Sequence, residues 1–197
     1  MHYYREIAGG ISVILSLTGY IMYAAGIVRK RTKPHAFSWL AWGMMNGVIF
    51  AVQIVKGAGP GSWSMALGTI GCLSNGILAL KFGKYRFDRL DWLAFSSVVV
   101  AIALWTITKQ PLVAALLITL GDAIGFVPSF RKGFVKPFEE HLAPFTIGAL
   151  ISIFAIAGLA SFDPANWIYL VSLILTNMAY VIMVSTRRRH VPVNQTT

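Results

Sequence analysis

Asp122 is the one acidic side chain set deep in an apolar run, 11 residues after Pro111 and 9 before Arg131. At helical rise it falls near the middle of that run. An ionised acid at such a depth in a bilayer costs ~2.5–3.5 kcal/mol. The chemistry that repays this is proton coupling or contact with a solute. The plainer alternative is a neutral acid hydrogen-bonded to a neighbouring helix. Three amides, Asn46, Asn75 and Asn177, lie at comparable depths in other apolar runs, roughly 10–20 Å from a run end at helical rise. An amide offers two donors and two acceptor sites, which suits polar solutes. It serves equally as interhelical glue, worth ~0.6 kcal/mol on average. Trp39 and Trp42 are three apart and share a helical face. They would form either an apolar wall beside a ring-bearing solute or ordinary packing. Gln53 sits nearer the end of the same run.

Other residues bear on movement. Pro128 lacks a backbone N–H and permits a kink. Gly121 and Gly125 precede it at close-packing spacing. Together the three read as a hinge or as a static kink. Gly43 and Gly47 repeat the spacing, on a face that suits a neighbouring helix or a second copy in a homodimer. Catalytic chemistry is not expected. His2, His35, His141 and His190 all lie outside the apolar runs, and no His–Cys or His–acid cluster has metal-ligand spacing. No paired intramembrane carboxylates, activated nucleophile or nucleotide-binding loop stands out. The expectation is no catalytic residue, no metal, no cofactor and no enzyme. Cys72 is the single cysteine, so no internal disulfide can form, and a lone apolar Cys usually packs.

The elements that position these groups follow from composition. The 197 residues are 56% hydrophobic and 12% charged, about half the ~25% charge of a soluble domain. Seven apolar stretches, 7–28, 37–55, 62–80, 92–107, 111–130, 142–160 and 165–185, lie near the ~20 residues that cross a bilayer as a helix. Open backbone cannot face lipid and barrel-like alternation is absent, so the predicted fold is an all-α membrane protein with seven transmembrane helices. It forms one membrane domain over 1–197. The first run, preceded only by Arg5, is too long for a signal peptide and is expected to stay as a span. Trp63, Trp92, Trp105 and Trp167 fall near run ends, where interfacial anchors belong. Gly57-Ala58-Gly59-Pro60-Gly61 reads as a tight turn.

Charge sets the orientation. Arg29, Lys30, Arg31 and Lys33 mark one boundary, and Lys81, Lys84, Arg86 and Arg89 the next but one. Arg131, Lys132 and Lys136 follow, then Arg187, Arg188 and Arg189. Only Arg5, Lys56 and Lys109 fall on the alternate boundaries. Cytoplasmic loops collect Lys and Arg, so the N-terminus is predicted outside, with a cytoplasmic tail at 187–197. The net charge of +10 is then a matter of inner loops facing anionic headgroups. The lipid bilayer is the expected partner, and nucleic acid is not. Short loops and the lack of a targeting tail favour a prokaryotic cytoplasmic membrane.

An internal repeat is visible. GYIMYAAGIVRK (19–30) is matched by GDAIGFVPSFRK (121–132), displaced by 102 residues. Each is followed by Lys-Pro, at Lys33-Pro34 and Lys136-Pro137. Each unit then closes with a run that begins near a Trp and holds an Asn, namely Trp63 with Asn75 and Trp167 with Asn177. Three spans per unit would invert a direct repeat; the fourth span restores the orientation, making the units parallel. The layout is 7–80, a linker at 92–107, and 111–185. This three-plus-one-plus-three pattern resembles the PQ-loop and SWEET-like transporter superfamily. In that family a helix ends in Pro-Gln before a basic loop and a Ser-containing helix start. Here Pro128-Ser129 precedes Arg131-Lys132, and Ala25-Gly26 precedes Arg29-Lys30, with Ser38 following in KPHAFSWLAWG. Neither unit has Pro-Gln. The resemblance implies two parallel three-helix bundles that move a small polar solute by alternating access. It also implies that Asn75 and Asn177 contact that solute; the depths of Asn46 and Asp122 and the helical face of Trp42 would set these three beside the pair. The competing expectation is a non-transporting receptor, assembly factor or scaffold with the same topology.

Overall fold

The structure is a computed structural model that describes residues 3–30, 36–82 and 89–190. Arg31, Lys33, Lys84, Arg86, His2, His35 and the last seven residues of the tail lie outside the described residues. Among those described, seven α-helices carry the fold and no strand occurs. They are α1 (Tyr3–Val28), α2 (Ala36–Val55), α3 (Trp63–Phe82), α4 (Arg89–Thr108), α5 (Pro111–Val135), α6 (Ala143–Ala157) and α7 (Pro164–His190). Each expected stretch becomes one helix. The largest difference is at α7, which continues to His190, so Arg187, Arg188 and Arg189 occupy its last turn instead of a tail. Cations there meet the negative end of the helix dipole, and their long stems let the charge reach outward from a helix.

Five helical segments, Tyr3–Val28, Ala36–Val55, Gly59–Phe82, Pro111–Val135 and Pro164–His190, are long and apolar enough to cross a membrane. The apolar parts of the other two, Phe95–Thr108 and Ala143–Ala157, are shorter. Fifteen residues of α6 rise about 22 Å, against ~30 Å of hydrocarbon. The helices turn aliphatic residues outward: Ile7, Ile14 and Ile21 on α1, Ile70 and Ile77 on α3, Leu175 and Ile182 on α7 are all exposed. Seven-residue spacing keeps each set on one face. The interior carries the polar groups, with Ser12, Ser16, Asn46, Gln53, Asn75, Asp122, Ser152, Asn166 and Asn177 all buried. That polarity is the reverse of a soluble fold and suits an integral membrane protein.

Local signals explain the helix ends. Lys109, at φ 57°, takes the left-handed conformation after α4, and Pro111 opens α5 with a missing N–H that a first turn does not need. Asp163 caps α7, its Oδ1 accepting from the Ala165 N–H at 2.9 Å. Between α2 and α3 the turn uses Gly57 and Gly59 at φ 66° and 62°, where a side chain would strain the backbone.

The helices pack in an order that is not the chain order. α3 lies between α1 and α2, and α7 lies between α5 and α6. α2 then meets α5, α6 meets α1, and α4 packs on α5 and α2. Two further contacts join α2 to α7 and α3 to α6. Exchanging α1 with α5, α2 with α6 and α3 with α7 carries every one of these contacts onto another, apart from those of α4. Close approach between α2 and α3 depends on glycine. A Cβ at Gly43 would lie 2.7 Å from Leu73, and one at Gly76 2.7 Å from Leu40. Thr69 sits 3.4 Å from the corresponding point at Gly47. The Gly43 and Gly47 face is therefore occupied by α3, and does not lie open to a second copy. Gly121 is likewise a close approach, with Ser97 of α4 filling the space of a Cβ, whereas a Cβ at Gly125 would meet nothing. α5 runs as one helix through Pro128.

Candidate functional site

Five helices bring polar and aromatic side chains to one level. Asp122 on α5 is 1% exposed. The indole N–H of Trp42, from α2, donates to its carboxyl, while Oδ2 of the same carboxyl has no hydrogen-bond partner among the described residues. One turn on from Trp42, Asn46 donates through Nδ2 to the Cys72 sulfur of α3 at 3.7 Å. The Cys72 thiol in turn donates to the Tyr20 hydroxyl of α1 at 3.5 Å. Tyr169 of α7 is 2% exposed and close enough to interact electrostatically with Asp122, Cys72 and Tyr20. Gly68 of α3 leaves room for this cluster, since a Cβ there would lie 3.2 Å from Asn46 and 3.3 Å from the Tyr20 hydroxyl.

An aromatic run leads into the cluster from one side. Tyr23 and Trp39 have ring centroids 4.4 Å apart, Trp39 and Trp42 are edge to face at 5.7 Å, and Tyr20 meets Trp39 edge to face at 6.3 Å. The expected Trp39–Trp42 wall is present as a geometry, and it ends on the Asp122 carboxyl. In the second half the rings gather differently: Phe126, Phe130, Phe145 and Tyr180 form a separate aromatic cluster.

The sequence places five residues at this site, and the structure gathers three of them, Asp122, Trp42 and Asn46. Asn75 is 1% exposed and its Nδ2 has no partner among the described residues. Asn177 is buried too, but its Nδ2 donates to Leu173 of its own helix at 2.7 Å, and its Oδ1 lies 3.3 Å from where a Cβ of Gly148 would stand. One of its two amide hydrogens is thus already used within α7. Gln53 belongs elsewhere, near the end of α2, where it donates to the Asn166 carbonyl at 2.9 Å.

Three members were not singled out from sequence: Tyr20, Cys72 and Tyr169. A signal existed for the first. At the repeat displacement of 102, Tyr20 stands opposite Asp122, as Asn75 stands opposite Asn177. The repeat alignment thus pairs the phenol of one half with the acid of the other.

A second polar centre lies at the end of the bundle where α2 and α6 finish and α3 and α7 begin. Lys56 and Asp163 form an ion pair at 2.9 Å, each about one-third exposed. The Lys56 ammonium and the Ala165 amide hold the Asp163 carboxyl below its ordinary range. Beneath the pair, Asn166 donates to the carbonyls of Lys56 and Ser161 at 3.2 and 3.0 Å. The backbones also join directly, Gly61 N–H to Gly158 O at 2.9 Å and Ala160 N–H to Ala58 O at 2.8 Å.

Among the described residues no group of three His, Cys, Asp or Glu side chains could hold a metal ion. What the central cluster offers is a buried carboxylate oxygen, a thiol, phenols and an amide, within reach of aromatic faces. These groups can donate and accept hydrogen bonds, and the carboxyl can take up or release a proton. Set against models of known families, curated proteins and solved structures, the chain matches none.

Proposed function

We propose that this chain is a small secondary carrier or facilitator for a polar solute, with the Asp122 cluster as its central site. The single observation that carries this reading is the Asp122 carboxyl, buried where α1, α2, α3, α5 and α7 converge, with Oδ2 unpartnered. A buried polar atom without a partner costs stability and calls for a role. A site that must take a solute and release it supplies one. In this reading all seven helices cross the membrane, α1–α3 and α5–α7 form two parallel bundles, and α4 links them. The exchange symmetry of the helix contacts and the opposition of Tyr20 to Asp122 support that arrangement. The N-terminus faces out and the arginine-bearing end of α7 faces the cytoplasm of a prokaryotic cell, following the loop charges.

The two bundles rock about the site and expose it alternately. Asp122, Trp42 and Asn46 contact the solute, and Asp122 also serves proton coupling where a proton gradient drives the cycle. Asn75 and Asn177 flank the site from the third helix of each bundle. Pro128, Gly121 and Gly125 on α5 provide the hinge. The test is uptake into proteoliposomes across a library of small polar solutes. The reading fails if no solute moves and none raises the unfolding temperature. The rival reading, a non-transporting receptor, assembly factor or scaffold, draws on one observation: one of the two Asn177 amide hydrogens is bonded within its own helix. Under that rival, replacing Asn75 and Asn177 by Leu leaves function intact; under the carrier reading it lowers uptake.

A further inference from the structure

The chemistry around Asp122 narrows the solute. Among the described residues Asp122 is the one buried acid, and no ion pair there includes it. The ion pairs Lys56–Asp163 and Lys132–Glu140 lie elsewhere. An ionised carboxylate in a low-dielectric interior needs a counter-charge, and here the protein leaves Oδ2 open to one. An anionic solute would meet like charge.

The hydrogen-bonding capacity points the same way. Trp42 N–H is committed to Asp122, Asn46 Nδ2 to Cys72, and the Cys72 thiol to Tyr20. The unpartnered atom at this cluster is an acceptor, Asp122 Oδ2, and the Tyr20 oxygen offers a second lone pair, while one Nδ2 hydrogen of Asn46 is left over. Such a site prefers a solute that donates. The aromatic run supplies the third element. Tyr20, Tyr23, Trp39 and Trp42 form a continuous set of rings ending at the carboxyl. Protein cations sit over aromatic faces at Tyr4, Phe82 and Phe134, none of which belongs to this set. Aromatic faces attract ammonium and guanidinium groups, most strongly when these are desolvated.

Resting on the carrier reading, we infer that the solute is a small organic cation, a protonated amine or guanidinium. Its N–H groups bond to Asp122 Oδ2 and its body lies along Trp42, Trp39 and Tyr20. The ion pair replaces the water shell that both charges lose, and the charge-assisted hydrogen bond orients the cation.

The experiment uses the full chain in nanodiscs and three probes of one shape: 2-phenylethylammonium, 2-phenylethanol and phenylacetate, with a neutral hexose as a fourth. Binding is read from the unfolding temperature and from quenching of tryptophan fluorescence, and transport from uptake into proteoliposomes. The cation is expected to bind at least tenfold more tightly than the alcohol or the carboxylate, and to be the member taken up. Asp122→Asn is expected to lower cation affinity at least tenfold, while Asp163→Asn, far from the cluster, leaves it unchanged. The wild-type comparison stands even if Asp122→Asn does not fold. If the alcohol, the carboxylate or the hexose binds or moves as well as the cation, the cation assignment falls and the carrier reading survives. If Asp122→Asn folds and binds the cation unchanged, the assignment falls as well. If no probe binds or moves, and the wider solute library gives nothing, both fall.

Discussion

The two ends of the helical bundle are held together by opposite means. At the Lys56–Asp163 end, backbone meets backbone. Gly9, Gly61 and Gly158 let α1, the α2–α3 turn and the end of α6 touch, and a Cβ at Gly61 would stand 2.6 Å from the Ala155 carbonyl. At the arginine end, among the described residues, long side chains supply the polar links. Arg188 donates to the Pro137 and Glu140 carbonyls, Arg187 donates to Phe134 O at 3.2 Å with its guanidinium 4.1 Å over the Phe134 ring, and Lys132 pairs with Glu140 at 2.7 Å. Backbone contacts through glycine tolerate no displacement, whereas long side chains can follow a moving partner. The carrier reading therefore makes the lysine–aspartate end the sealed one and gives the arginine end the freedom to open.

The sharpest break of this contrast is Gly61→Val. Its Cβ would press on the Ala155 carbonyl and on the Leu159 backbone nitrogen at 2.9 Å, and overpacking against backbone costs about 3 kcal/mol. Purified protein should lose most of its cooperative thermal unfolding and its monodisperse elution. Asn166→Ala comes next. It removes the partner of the part-buried carbonyls of Lys56 and Ser161, at about 1 kcal/mol for each bond lost, so the unfolding temperature drops though the protein still folds. Gly125→Ala runs the other way. No atom lies within 4 Å of the new Cβ and helical Gly is costlier than Ala by roughly 0.5–1 kcal/mol, so stability rises. If Gly125 belongs to the hinge, transport slows in the same variant.

The smallest effects belong to the exposed charges. Asp163→Asn removes a part-exposed ion pair, worth ~0–1 kcal/mol and less at high salt. Its pH dependence has a fixed sign. Because the folded-state carboxyl is held below its ordinary value, the unfolded chain binds the proton more readily. The contribution is complete above the unfolded value of ~3.9 and disappears as pH falls through the folded one. Thermal unfolding from pH 7 down to 3 should show the wild-type advantage over Asp163→Asn closing only in the acidic limb. Arg187→Ala, at the opposite end, should change the unfolding temperature least, since its bond to Phe134 O is exposed.

Much of the architecture was legible in the sequence, because apolar runs bounded by charge, Gly or Pro admit one structure in lipid. All seven helices fall where those runs lie. The end of α7 was less legible: a triple arginine reads as loop, yet helix dipole and snorkelling side chains allow the helix to carry it. Asp122 stood out because an acid in an apolar run has no cheap explanation, and Trp42 and Asn46 followed from helical spacing. Tyr20 and Tyr169 did not, since a tyrosine in an apolar run looks like packing until a partner is known. The Gly57–Gly61 turn was readable as a turn. Its role as a staple was not, because its partners, Gly158 and Ala160, are about 100 residues away.

Proteoliposome uptake by wild-type protein and by Asp122→Asn, measured side by side across the solute library, bears most directly on the assignment of a solute site to the α1–α2–α3–α5–α7 junction. The account predicts that at least one solute accumulates with the wild type and that the substitution reduces its uptake tenfold or more in folded protein. Uptake of every solute at the level of empty liposomes, or transport indifferent to the loss of the carboxyl, would contradict it.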